Sequence, residues 1–122
     1  MALDRKWPVY FGCANGVTNG TTAVEMVPAP PSGVKRRVVT LTLVNTDDAA
    51  VVPRFYLKDG ANSRAVKSIA TATTLAIGDT MTFGTNGEVL HLKDTTESVT
   101  VSLAAAKNSV DCDWTAHWED AS

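Results

Sequence analysis

The sequence predicts an all-β fold: an antiparallel β-sandwich (jelly-roll or Ig-like) or small barrel, with an extended N-terminal arm. Short runs of alternating apolar and polar residues recur about every eight to twelve residues. Gly, Asn and Asp separate these runs, supplying the turn conformations that antiparallel strands need. The chain divides into residues 1–33, an N-terminal strand or arm with a Pro-rich connector, and residues 34–122, the sandwich domain.

Near the N-terminus, Trp7-Pro-Val-Tyr-Phe11 concentrates bulky apolar surface. It reads either as a first strand closing the core or as an arm packing on a neighbouring subunit, since termini stay loose unless docked. Asn15-Gly16 and Asn19-Gly20 follow, and Thr22 to Val27 allows one short strand. Pro28-Ala-Pro-Pro31 is a stiff extended connector, because proline locks φ and removes a ladder donor. In Val38-Val-Thr-Leu-Thr-Leu-Val-Asn45, alternation predicts Val39, Leu41 and Leu43 on the core face and Thr40 and Thr42 outside. Thr46-Asp-Asp-Ala49 has the composition of a hairpin loop. Val51 to Lys58 repeats the alternation with Phe55 and Leu57 inward, and Pro53 marks an edge or a strand start.

Asp59-Gly-Ala-Asn-Ser63 is a polar loop, and Ala65 to Leu75 reads as a strand or extended connection because β-branched residues outweigh a brief helical pattern. Ile77-Gly-Asp-Thr80 turns into a short strand ending at Phe83-Gly84. Asn86-Gly87 is a hairpin signal, since both residues tolerate positive φ. Strands follow at Glu88–Lys93 and Ser98–Leu103, the second with Val99, Val101 and Leu103 on one face.

The last run, Val110-Asp-Cys-Asp-Trp-Thr-Ala-His-Trp-Glu119, gathers residue types found in metal sites and hydrolytic centres. Period two assigns Val110, Cys112, Trp114, Ala116 and Trp118 to one side. Asp111, Asp113, Thr115, His117 and Glu119 fall on the other. Asp111 and Asp113 then stand roughly 7 Å apart, and Asp113 and His117 about twice that. Ligands of one ion lie about 2 Å from it, so this strand alone cannot gather them. The expectation is a polar outer face with an inert, buried Cys112. Asp47-Asp48 is expected to serve turn chemistry.

Composition narrows the function classes. The chain has 122 residues, one domain in size, with 44% hydrophobic and 20% charged residues. A net charge of −2 provides no basic field toward nucleic acid or an anionic membrane. Neither partner is expected. The N-terminus has no extended apolar segment, so no signal peptide is expected and synthesis in a reducing cytoplasm is. Cys13 and Cys112 fit neither a disulfide framework nor a zinc knuckle, although neighbouring terminal strands would let them pair. Phosphate-loop, dinucleotide, nucleophile-elbow and HExxH patterns are absent from the sequence. No catalytic, metal or cofactor-binding residue is therefore assigned, and the chain is not expected to be an enzyme. Lys35-Arg-Arg37 is a short basic run, a solvated or subunit-facing strand start or a contact for an acidic partner.

Several stretches resemble small virion structural proteins of tailed bacteriophages. They are Pro30-Pro-Ser-Gly33 with Arg36-Arg-Val-Val39, Val44-Asn-Thr-Asp-Asp48, Arg54-Phe-Tyr56, Ile77-Gly-Asp-Thr80 and Phe83-Gly84. Val89-Leu-His-Leu92, the run from Thr95 to Ala104 and the acidic close Trp118-Glu-Asp-Ala121 complete the pattern, which spans roughly residues 28–122. The resemblance implies a short β-sandwich of the head or the head–tail region with no active-site residues to carry over. A capsid decoration (cement) protein is the leading implication, with a tail or neck protein as the alternative. It implies location in the virion, binding to the major capsid protein or other virion subunits, and assembly as a homo-oligomer such as a trimer. The interface candidates are Trp7, Pro8, Tyr10, Phe11, Lys35, Arg36 and Arg37. The competitor is a carbohydrate- or cell-surface-binding module, which needs exposed aromatics such as Trp7 and Tyr56 on one surface.

Overall fold

A computed structural model describes residues 9–60, 62–65, 74–84 and 90–121. Nine strands form within them: β1 (Val9–Val17), β2 (Val24–Val27), β3 (Lys35–Val44), β4 (Pro53–Asp59), β5 (Asn62–Ala65), β6 (Thr80–Phe83), β7 (Leu90–Leu92), β8 (Glu97–Leu103) and β9 (Asp113–Ala121). One sheet has the order β1-β9-β3-β6, and β7 pairs with β3 beyond β6. The other has the order β2-β8-β4-β5. Every pairing is antiparallel. Counting β6 and β7 as one interrupted strand leaves four strands per sheet. The chain crosses between sheets at nearly every connection, the jelly-roll form of the expected sandwich.

The core lies between the sheets. Val38, Leu41, Leu43, Leu92, Trp114, Ala116 and Trp118 come from the first sheet, and Met26, Val27, Phe55, Val99, Val101 and Leu103 from the second. Phe55 and Phe83 meet edge to face across the gap, with ring centroids 5.5 Å apart and planes inclined at 72°. Strand β8 is buried on both faces, because Ser98, Thr100 and Ser102 on its outer side are also covered.

Strand β9 follows the expected alternation from Cys112 to Trp118, with four buried positions separated by exposed Asp113, Thr115 and His117. Val110 departs from it: it is 47% exposed and precedes the strand. Strand β3 also departs. Val38 opposes Trp118 while Thr40 opposes His117, so Val39 is an extra residue in a bulge. The bulge shifts the phase, and Val38 rather than Val39 joins Leu41 and Leu43 in the core.

The residues after Val44 do not make a hairpin, because β3 and β4 belong to different sheets. Pro53 is the first residue of β4, which is flanked by β8 and β5. Strands β6 and β7 do not pair with each other either; both run antiparallel to β3, one after the other along its edge. Asn86-Gly87 and most of the Ala65–Leu75 stretch lie outside the described residues. The described part of residues 1–33 supplies β1 to one sheet and β2 to the other. The connector from Pro28 to Pro31 carries no regular structure, as its prolines require.

Candidate interaction surfaces

The sandwich has two dissimilar ends. At one, β1 starts, β3 starts and β9 finishes. Val9, Ala121 and Lys35 stand side by side in the ladder, then Tyr10, Asp120 and Arg36, then Phe11, Glu119 and Arg37. Interface candidates far apart in sequence thus lie on β1 and β3, the two strands that flank β9. Trp7 and Pro8 lie outside the described residues. Phe11 is 77% exposed, and Lys35 is exposed two rows along the same ladder, opposite Ala121. Arg37 forms an ion pair with Glu119 on the outer face.

Arg36 does something else. It is buried, and its Nε and Nη2 donate to the two Asp120 carboxylate oxygens at 2.7 and 2.8 Å. Nη1 donates to the Pro28 carbonyl at 2.7 Å, and the guanidinium lies 5.1 Å from the Trp118 ring. The side chain is committed inside the molecule, fastening β3, β9 and the connector together. His91 of β7 stands opposite Arg37, and Lys93 follows β7. A shallow depression of about 350 Å³ is lined by Lys35, His91, Leu92 and Lys93. The basic run therefore extends onto a second strand, which sequence could disclose only through the β3–β7 register.

The other end is a knot of loops held by carboxylates and one amide. Asp47 is buried, and accepts the Asn108 N–H at 2.7 Å, the Ser109 N–H at 2.8 Å, the Val110 N–H at 3.1 Å and the Asp48 N–H at 2.9 Å. These donors, Asn108 foremost, outweigh burial and hold its carboxyl well below the usual carboxylate range. Asp48 accepts the Asn108 side-chain amide and the Ser109 hydroxyl, each at 2.7 Å. Asn45 donates to the Ala49 and Leu75 carbonyls at 2.9 and 3.0 Å and accepts the Asp47 N–H at 2.9 Å.

Asp111 accepts the Gly20 N–H at 2.8 Å and the Thr18 hydroxyl at 3.1 Å, with the Lys107 ammonium 3.1 Å away. These contacts, led by Gly20, also lower its pKa. The turn chemistry expected of Asp47-Asp48 is present, but its main partners lie about sixty residues onward, beyond any local pattern. Asp111 is likewise engaged in joining loops.

Asp113 and His117 remain on the outer face of β9, and no group of three or more metal-ligating side chains forms among the described residues. Cys13 faces out opposite His117, whereas Cys112 is buried before β9 begins. The terminal strands are neighbours, yet the two thiols are free. Burial pushes the Cys112 thiol up. Trp114 and Trp118 pack over the β1 glycines, so neither presents a ring to solvent. Among the described residues no helix is long and apolar enough to cross a membrane.

No protein-family model matches the chain, and no curated protein matches its sequence. Two solved structures align with the chain. One is the cyanophage Pam1 capsid asymmetric unit, at TM-score 0.42 and 14% identity over 95% of this chain and 84% of that one. The other comes from Bacillus endospore appendages, which form a family of disulfide-linked pili. It aligns at TM-score 0.50 and 14% identity over 100% of this chain and 95% of that one, a likeness of fold alone.

Proposed function

We propose that this chain is a virion structural protein, and within that role a decoration (cement) subunit that binds the assembled head lattice. The observation that carries the reading is the strand order, β1-β9-β3-β6/β7 over β2-β8-β4-β5. It is the jelly-roll arrangement used by viral capsid and lectin domains. Sequence resemblance to phage virion proteins selects the first of these. Fold alone does not assign function. The reading therefore also leans on the surface end where Phe11, Lys35 and Arg37 converge around Glu119. A lectin-like role loses Trp114 and Trp118 as stacking platforms, since both are buried. The proposed role is one of contact and carries no catalysis.

A decoration subunit stabilises a shell by binding the lattice in preference to free coat protein. Co-sedimentation with shells of the cognate coat protein, and separately with its free subunits, tests this. Saturable binding to shells and none to free subunits is the expected result. Absence from both shells and purified virions would overturn the proposal.

A further inference from the structure

The β1–β9 ladder determines which β1 backbone groups are already bonded. The Thr18 N–H donates to the Cys112 carbonyl at 2.9 Å, and Thr18 stands opposite Cys112 when the β1–β9 register is carried one residue on. Bonded and non-bonded pairs alternate along an antiparallel ladder. Gly12, Ala14 and Gly16 therefore bond to β9. Val9, Phe11, Cys13, Asn15 and Val17 point their N–H and C=O groups away from β9, at an edge that no other strand covers among the described residues.

Natural sheets blunt such edges with short strands, charges, prolines or bulges. The other edges here do so. Strand β2 has four residues, a charge at Glu25, a register shift, and Pro28 directly after it. Strand β5 has four residues including Arg64, while β6 and β7 have four and three, with Lys93 following. Strand β1 has nine residues in unbroken register with neither a charge nor a proline among them, and its one flanking breaker is Pro8, directly before Val9. Its outer face is apolar at Phe11 and Val17, 77% and 54% exposed.

We propose that β1 is a pairing edge for a second copy of this chain, joined antiparallel about a two-fold axis through Cys13. Outward side chains must oppose outward side chains across a new ladder. Centring on Cys13 is the two-fold register that engages the whole strand: Val9 meets the partner's Val17, Phe11 meets the partner's Asn15, and Cys13 meets the partner's Cys13. The neutrality of β1 also fits a self-partner. Asp113 and Glu119 lie one strand back on β9, so the acidic rows of two copies are separated by three strand spacings, roughly 14 Å. That exceeds the Debye length of about 8 Å at physiological salt. The pairing stands independently of the virion reading.

Opposed Cys13 residues in a hydrogen-bonded pair have Cα atoms about 5.5 Å apart, a separation that a disulfide spans. Cys13 is thus a built-in reporter. Sedimentation equilibrium of the full chain under reducing conditions is expected to give twice the monomer mass at tens of micromolar. Asn15→Pro removes an edge-facing N–H but no bond to β9, and should give a folded monomer with the parent's far-UV circular dichroism. Asn15→Lys, which places a charge on the edge, should do the same if the proline variant fails to fold. Copper–phenanthroline oxidation should trap a dimer that dithiothreitol reverses and Cys13→Ser abolishes. A monomeric parent, or a dimer untouched by both Asn15 variants, would overturn the proposal. So would a dimer lost only on deleting residues 1–8. None of these readouts involves a shell, so they fail or succeed separately from the decoration role.

Discussion

A methyl group at Gly12 would land on the Trp118 indole, and one at Gly16 would come within 2.9 Å of the Trp114 ring. Glycine is used there for closeness, because both indoles fill the space that β1 side chains would otherwise occupy. Gly12→Ala is expected to destabilise the fold by about 1–3 kcal/mol, the usual cost of overpacking, read as a lowered urea midpoint. Trp118 is also the ring against which Arg36 rests, so the two sites are coupled. Breaking the Arg36–Asp120 pair leaves a buried guanidinium short of its carboxylate. Asp120→Ala should therefore cost about 3–5 kcal/mol in chemical denaturation, and Arg36→Met added to it should recover part of the loss. An Arg36 variant that instead behaved like a mild surface substitution would contradict its internal role.

The element that the carboxylates organise is the loop from Ala104 to Cys112, fastened to the segment after β3 by Asp47 and to the β1–β2 turn by Asp111. Both groups have depressed pKa values relative to their ordinary 3.8. Their contribution is therefore complete above that value and is lost as pH falls through the folded-state pKa. The melting temperature should be level near neutrality and decline below about pH 5. Asp47→Asn should lower it at pH 7 and make the acid decline shallower; an unchanged slope would show that Asp47 is not responsible.

Much of this level was legible beforehand, and unevenly so. Alternation in β9 and β8 exposed their core faces, because period two is a property of the strand itself. The Val39 bulge was hidden because it exists only relative to β9. Thr46-Asp-Asp-Ala49 resembled a hairpin loop because turn residues declare a change of direction and not which sheet comes next. Asn108, Ser109 and Val110 carried no local sign that their N–H groups would meet Asp47. Of the interface candidates, Lys35 and Arg37 were legible as a basic run. Their alignment with Phe11, Glu119 and His91 needed the register, and the inward turn of Arg36 needed Asp120.

At the scale of the molecule, the two ends divide the labour. One is a stiff knot of loops in which buried polar groups find partners, and the other gathers exposed charge and Phe11. Stability and contact are thereby separated, which lets the contact end vary while the knot holds the sheets together. The proposed β1 pairing would continue the first sheet from one molecule into the next, with the contact ends of the two copies at opposite extremes of the joined sheet.

Strand β9 has a position in time as well as in space. It leaves the ribosome after the eight other described strands, yet it lies between β1 and β3 in the finished sheet. Until it arrives, β1, the first of the described strands to be made, lacks its one ladder partner among the described residues. While β2 to β8 are being made, the growing chain thus carries an uncharged nine-residue β-former without its β9 partner. Closing the sheet joins the two described strands farthest apart in the sequence, a slow step by topology. Any nascent chains held close together would meet through β1 before β9 could cover one side of it, so the edge that suits assembly is also where misassembly would begin.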